Sequence, residues 1–329
     1  MGKEINLDSQ DMKKAIDQLP SQIAEAYKMG DYIRVDKPVD KIVIIGMGGS
    51  AIAGDILQSY IANVPVTVIR DYNIPDWIDE KTLVFASSYS GNTEETISAY
   101  REARKKKALI VVITSGGRLL KLAQDEKTQI VLIPKFMQPR NAVAYMFFPM
   151  LSALENAKLL KSQDTAVRQT INALKKEGYE KIAKDLLEKN YNKIPIIYSS
   201  NKFSSIAYRW KTQFNENAKV MAFSHAFPEL DHNAIMGFEH LIGHFHVIFL
   251  KSDLDHKRIQ KRMDITEKLI RRKTTVTSLN IKGENYLSQL FTAIHIGDLT
   301  TYFLALRYRI DPSPVDYIEE LKKEMGPYL

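Results

Sequence analysis

Short apolar runs alternate with longer amphipathic stretches along most of the chain. Lys41-Ile-Val-Ile-Ile45 is a continuous β-branched run ending at Gly46, the pattern of a strand buried on both faces of a parallel sheet. Four further runs read as strands: Pro65–Ile69, Thr82–Ala86, Leu109–Ile113 and Gln129–Ile133. The spacing between them predicts helices over 50–60, 92–106 and 119–125. The helix from Asn92 opens on Thr93, Glu94 and Glu95, and acidic side chains in a first turn complement the helix dipole. Helical periodicity also covers 8–30, where Leu19, Ile23 and Tyr27 recur every four residues.

Residues 141–190 read as helical, and the strand pattern then restarts. Lys193-Ile-Pro-Ile-Ile197 echoes the first run, and a helix over 203–217 places Ile206, Trp210 and Phe214 on one stripe. Strands are expected at 220–223, 244–250 and 275–279, with helices at 255–270 and 284–308. The extended segment Ile310-Asp-Pro-Ser-Pro-Val315 leads into a last helix, 315–325. Strands alternating with helices through short connections indicate a doubly wound α/β architecture. The restart indicates two similar halves, with the boundary inside 150–193.

Composition narrows the function classes. A chain of 329 residues suggests about two domains. It has no cysteine, which excludes disulfides, thiol nucleophiles and Cys-ligated metals. No run of about 18 apolar residues occurs, so no transmembrane helix is expected. The opening residues MGKEINLDSQ are charged and lack an apolar leader region. A cytoplasmic protein without a membrane partner is the resulting expectation. The net charge of +7 is scattered rather than striped, which argues against nucleic acid.

Three loops at strand ends carry candidate chemistry. Gly46-Met-Gly-Gly-Ser-Ala51 fits the loose dinucleotide pattern at Gly46, Gly48 and Ala51, with Asp71 as the acidic residue downstream. It also reads as a tight strand–helix turn, or as the wall of another ligand's site, and alone the pattern is weak for a dinucleotide. Ser87-Ser-Tyr-Ser-Gly-Asn-Thr93 is sharper. Its four hydroxyls, Ser87, Ser88, Ser90 and Thr93, can surround one tetrahedral oxyanion with help from backbone N–H groups and a helix dipole. A helix N-cap would need only one of them. Thr114-Ser-Gly-Gly-Arg118 repeats the design after the next strand, and Pro139-Arg140 follows the fifth. All of these fall on the carboxyl edge of a parallel sheet, where ligands bind.

In the second half, Glu216 falls off the 206/210/214 stripe near a helix end, and His232 stands sixteen residues later in Pro228-Glu-Leu-Asp-His-Asn233. Glu216 reads either as a solvated glutamate or as half of an acid–base pair with His232. His240, His244 and His246 do not match a zincin helix, and a packing role is the simpler reading, so no metal site is expected.

Taken together, Gly46–Ser50, Ser87–Thr93, Ile113–Gly117, Pro139-Arg140, Phe214–Asn217, Pro228–Asn233 and Asp311–Val315 with the helix after it resemble the bifunctional phosphoglucose/phosphomannose isomerases. That family lies in the phosphoglucose isomerase superfamily. The resemblance runs from about residue 40 to the C-terminus. It implies two sugar isomerase (SIS) domains, each a flavodoxin-like αβα sandwich, over 1–152 and 153–329, with a C-terminal helix returning to the active site. The implied activity is cofactor-independent isomerisation of glucose 6-phosphate or mannose 6-phosphate to fructose 6-phosphate. The Ser87–Thr93 loop resembles the family's phosphate cradle, with Ser88, Ser90 and Thr93 as main contacts and Ser87 beside them. Gly48, Gly49 and Ser50 resemble the wall along the sugar. Arg140 corresponds to the cation facing the enediolate, Glu216 to the C1/C2 proton-transfer base, His232 to the ring-opening residue, and Lys322, with Lys323 adjacent, to the C-terminal lysine. The family is dimeric, and its histidine reaches in from the other subunit. Ser313 stands where a small hydroxyl residue leaves room for either C2 epimer. This chain has Ala234 where close relatives carry an acidic residue. A non-catalytic SIS-type sensor, an isomerase of another phosphosugar and a nicotinamide-dependent dehydrogenase are the competing classes.

Overall fold

A computed structural model gives the fold, and it describes residues 7–135 and 137–328. The charged opening stretch through Asn6 lies outside the described residues. By contacts the chain forms two compact units. One holds Gln18–Ile171 with Tyr328, and the other holds the residues up to Asp17 with Asn172–Pro327. The expected boundary at 152–153 falls inside the helix Val143–Asn156, whereas the division by contacts falls inside a later helix, Asp164–Leu174.

After α1 (Met12–Asp17), the first unit runs α2 (Leu19–Ala26), β1 (Lys41–Ile45), α3 (Gly48–Tyr60), β2 (Val66–Ile69), β3 (Thr82–Ser88), α4 (Glu94–Lys105), β4 (Leu109–Thr114), α5 (Gly117–Asp125), β5 (Gln129–Leu132), α6 (Val143–Asn156) and α7 (Asp164–Leu174). Its sheet is wholly parallel, in the order β2-β1-β3-β4-β5. The direction of winding reverses between β1 and β3, so a crevice opens at their carboxyl ends. Val43, Ile45, Val84 and Ala86 point to one face, against Ile97 and Tyr100 of α4 and Leu119 and Ala123 of α5. The other face meets α3 so closely that a Cβ on Gly54 would stand 2.9 Å from Ile44 Cγ2. The helix α6 is buried from Val143 to Leu154 and packs against α3 and α2. Removing a strand's two apolar faces from water is what makes these β-branched runs central strands.

The second unit adds α8 (Tyr179–Asn190), β6 (Ile194–Ser200), α9 (Ser204–Glu216), β7 (Phe223–Phe227), β8 (Phe245–Lys251), α10 (Lys257–Ile270), β9 (Thr275–Asn280), α11 (Tyr286–Arg307) and α12 (Asp316–Met325). Its parallel sheet follows the same winding, β7-β6-β8-β9. Tyr198, Val247, Phe249 and Val276 pack against Met263 and Ile270 of α10 on one face. The long, almost wholly buried α11 contacts α8, α9 and α1. The expected strand 220–223 is displaced to 223–227. The reason is the exit from α9, which consumes the intervening residues. Lys219 adopts φ +57°, Val220 N donates to Phe214 O at 3.1 Å, and Asn215 Nδ2 donates to Val220 O at 2.8 Å. Among the described residues, no helix is long and apolar enough to cross a membrane.

Candidate active site

In the first unit the three sequence-predicted loops converge at the β1/β3 reversal. The turn after β1 is shorter than its glycines suggest, because α3 starts at Gly48, and Gly48 and Gly49 lie in its first turn. Gly46 is demanded by proximity: a Cβ there would sit 2.8 Å from Ser87 O. Gly48 has φ +49° and faces open space, whereas a Cβ on Gly49 would meet Pro139 O at 3.0 Å and the Arg140 Cα at 3.2 Å. The α3 N-terminus therefore abuts the short 3-10 turn Pro139–Asn141. That turn holds Arg140 only 3% exposed, with Nη1 donating to Gln138 Oε1 at 3.2 Å. Ser50 Oγ accepts from Tyr89 N at 3.3 Å, which ties the α3 turn to the serine loop. Asp71, the acidic residue of the dinucleotide reading, is exposed and accepts from Tyr72 N at 2.6 Å.

The serine loop is more regular than the sequence suggests. Ser87 and Ser88 are the last residues of β3, paired with Ile113 and Thr114 of β4, and both are buried. The Ser88 and Thr93 hydroxyls are 2.9 Å apart, and Gly91 N donates to Ser88 Oγ at 3.1 Å. Ser90 is exposed, and its hydroxyl accepts from Asn92 N at 3.2 Å. Ser87 Oγ is buried and has no hydrogen-bond partner. Thr93 caps α4 in an extended conformation, and Glu94 and Glu95 occupy the first turn. A set of hydroxyls and amides around a helix start is suited to a tetrahedral dianion.

The loop after β4 locks this arrangement. Ser115 Oγ donates to Tyr89 O at 2.7 Å, Leu119 N to Gly91 O at 2.8 Å, and Arg118 N to Asn92 Oδ1 at 3.0 Å. Gly117 has φ +72°, and a Cβ on it would lie 2.3 Å from Ser90 O. Lys135, which sequence reading did not single out, brings a cation here: its Nζ lies 2.6 Å from where a Cβ on Gly116 would stand. A lysine after a strand carries no pattern of its own. Its signal is position, since Ile133 N bonds Thr114 O at 3.0 Å and so runs this segment along the end of β4.

The second unit holds the remaining candidates. Glu216 is the last residue of α9 and is half-buried. Lys219 Nζ donates to the Glu216 carbonyl and, at 3.1 Å, to Pro312 O. This joins the end of α9 to the segment that leads into α12. In that segment Ser313 is buried, and its N–H donates to Asp311 Oδ1 at 2.9 Å. Lys322 and Lys323 are both exposed in the last turn of α12, a helix with no buried residue. His232 is exposed at the end of the 3-10 turn Glu229–His232 after β7, on a different segment from Glu216 and Lys322. Beside it, Asn233 Nδ2 donates to Glu229 Oε1 at 2.8 Å, and Asp231 pairs with Arg262 at 3.0 Å.

The other histidines separate by burial. His240 and His244 are exposed, and His244 precedes β8 rather than lying in it. His246 is buried between Asn190 Oδ1 and Thr277 Oγ1, each 2.9 Å away, and burial pushes its pKa down to about 3. Among the described residues no group of three His, Asp or Glu side chains is arranged to hold a metal.

The second sheet carries a polar cluster at its own reversal point. Ser200 ends β6 and donates to Asp255 Oδ1 at 2.5 Å, while Ser252 N, just beyond β8, donates to Asp255 Oδ2 at 3.3 Å. Asp255 is buried, and burial raises its carboxyl above the usual range.

Comparison with known proteins agrees with the two-unit α/β fold. The SIS domain model matches residues 37–155, and the model of the bacterial phospho-glucose isomerase C-terminal SIS domain matches 179–325. The bifunctional phosphoglucose/phosphomannose isomerase of Caldicellulosiruptor bescii is 40% identical over 96% of this chain and 99% of its own. That of Thermoplasma volcanium is 42% identical over 92% of this chain and 98% of its own. Among solved structures, the tagatose-6-phosphate ketose/aldose isomerase of Escherichia coli superimposes with a TM-score of 0.70 at 17% identity, covering 92% of this chain and 95% of that one.

Proposed function

The chain belongs to the bifunctional phosphoglucose/phosphomannose isomerases and is a sugar-phosphate aldose–ketose isomerase, and from that premise we propose how its residues divide the reaction. The carrying observation is the serine loop at the β1/β3 reversal, where Ser88, Ser90, Thr93 and the Gly91 amide form one hydroxyl-rich cradle. This cradle takes the substrate phosphate. Binding the dianion there supplies binding energy remote from the reacting carbons and positions C1 and C2. Ser87 lies behind the cradle, and Gly48, Gly49 and Ser50 line the sugar.

Isomerisation needs a base, a cation and a group for ring opening. His232 moves the proton that opens the pyranose ring. The Glu216 carboxylate takes the proton from C2 of the open aldose, leaving an enediolate across C1 and C2. Arg140 stabilises the negative oxygen. The same carboxylic acid returns the proton to C1 while the hydroxyl proton moves from O2 to O1, giving the ketose. Lys322 supplies a second cation from α12. No cofactor takes part in this reading. His232 serves the site of a partner protomer, so the working form is a homodimer, and the enzyme acts in the cytoplasm.

The test is fructose 6-phosphate formation from glucose 6-phosphate and, separately, mannose 6-phosphate, with EDTA present. Turnover of both supports the full reading. Turnover of one narrows the substrate. Binding without turnover of either overturns it in favour of a sensor.

A further inference from the structure

The helix α9 ends at Glu216, and its buried side carries two stripes. Ile206, Trp210 and Phe214 form the apolar one. Beside it, Arg209, Gln213 and Asn217 recur every four residues, and all three are buried. Each meets α11. Arg209 Nη2 donates to both oxygens of Asp298, at 3.0 and 2.7 Å, and Gln213 Nε2 donates to Asp298 Oδ1 at 2.8 Å. Asn217 Nδ2 donates to Thr301 Oγ1 at 3.0 Å. Between these rungs, Trp210 Nε1 donates to Ala293 O at 2.9 Å, and a Cβ on Gly297 would lie 2.4 Å from that nitrogen.

Stability alone does not account for the ladder. A buried ion pair commonly contributes no more than well-packed apolar side chains of the same volume. This pair is also incompletely satisfied: Arg209 Nε and Nη1 and Gln213 Oε1 are buried without hydrogen-bond partners. What the ladder supplies is a single solution for the placement of α9. Apolar stripes tolerate sliding, but three N–H bonds converging on one carboxylate do not. A slip of one residue would move Glu216 by about 1.5 Å along the axis and rotate it by about 100°.

We propose that Arg209, Gln213 and Asn217, locked to Asp298 and Thr301, are positioning residues that set the register of α9 and thereby aim Glu216 at the C1–C2 edge of the sugar. The proposal rests on the reading of Glu216 as the proton-transfer base. A misplacement of about 1 Å at a reacting group costs on the order of 100-fold in rate.

The decisive variant in the full-length enzyme is the double substitution Arg209→Met with Asp298→Leu, which removes both charges while keeping volume. The expected result is a folded protein, with KM for fructose 6-phosphate within about threefold of the parent and kcat lower by about 30- to 100-fold. A folded double variant with kcat within threefold of the parent overturns the proposal. Should the double variant not fold, Gln213→Leu reads one rung without exposing a charge. It is expected to lower kcat about fivefold at unchanged KM, with Gln213→Asn, which keeps the amide donor, retaining more of the parent kcat; unchanged kcat in Gln213→Leu overturns the proposal. Glu216→Gln in the same assay separates the two ideas. If Glu216→Gln still turns over, the base reading falls and the ladder proposal with it. If Glu216→Gln is inactive while the ladder variants are fully active, the ladder proposal alone falls.

Discussion

Gly91 and Gly116 are interlocked. A Cβ on Gly91 would lie 1.7 Å from the Gly116 carbonyl oxygen, and Gly91 has φ +69°. Only a glycine satisfies both conditions. Gly91→Ala must therefore push the loop after β4 away from the serine loop and strain the backbone. The expected outcome is a rise in KM of about tenfold or more with a lower melting temperature, read by steady-state kinetics and thermal unfolding.

The hydroxyls of the cradle can be tested without moving its backbone. Ser90→Ala combined with Thr93→Ala removes two of the donors proposed for the phosphate. Hydrogen bonds to a charged group contribute about 1.5–3 kcal/mol each, so KM should rise by at least about tenfold, with kcat much less affected. An unchanged KM would place the anion elsewhere.

Glu216→Gln keeps the shape of the side chain and removes its basicity. General acid–base catalysis contributes about 100- to 10,000-fold, so kcat should drop by that range. Sugar-phosphate binding, measured by calorimetry, should remain close to the parent. Residual turnover within a few-fold of the parent would falsify the assignment.

His246 predicts an acid limit to stability. Its folded pKa is lowered to about 3 by burial, while an unfolded histidine titrates near about 6.5. Below the unfolded value the unfolded chain binds a proton that the folded one does not. The stabilisation is therefore complete above about pH 6.5 and is lost as pH falls towards 3, by about 1.4 kcal/mol per unit within that window. Burial lowers His295 as well, in the same sense. Unfolding by urea at several pH values should show this slope, and His246→Gln should flatten it. A parent enzyme equally stable at pH 7 and pH 5 would contradict the assignment.

The strands were legible because β-branched runs such as Ile42–Ile45 have few alternatives to a doubly covered strand. The helices of 141–190 were legible as helical, but not as the three separate segments α6, α7 and α8. The strand β7 was expected a few residues early because the apolar Val220–Ala222 competes with an aromatic alternation, Phe223, His225, Phe227, and only the helix exit at Lys219 decides between them. In the serine loop, hydroxyl spacing singled out Ser88, Ser90 and Thr93, and the structure places Ser88 and Thr93 side by side at the start of α4. The burial of Arg140 and the nearness of Lys135 to Gly116 depend on tertiary packing and leave no local trace. The polar stripe of α9, Arg209, Gln213 and Asn217, is buried because α11 covers it, and local spacing alone carries no sign of that cover.

The shared winding of the two sheets throws Asp255 into relief. At the reversal of the first sheet stands an open hydroxyl cradle. At the matching reversal of the second, Ser200 and the Ser252 amide already grip a carboxylate from their own chain. One half is a socket, and the other is a socket filled by its own plug. The same winding thus ends in two different ways: in the second sheet the position that the serine loop takes in the first is closed by the chain's own Asp255.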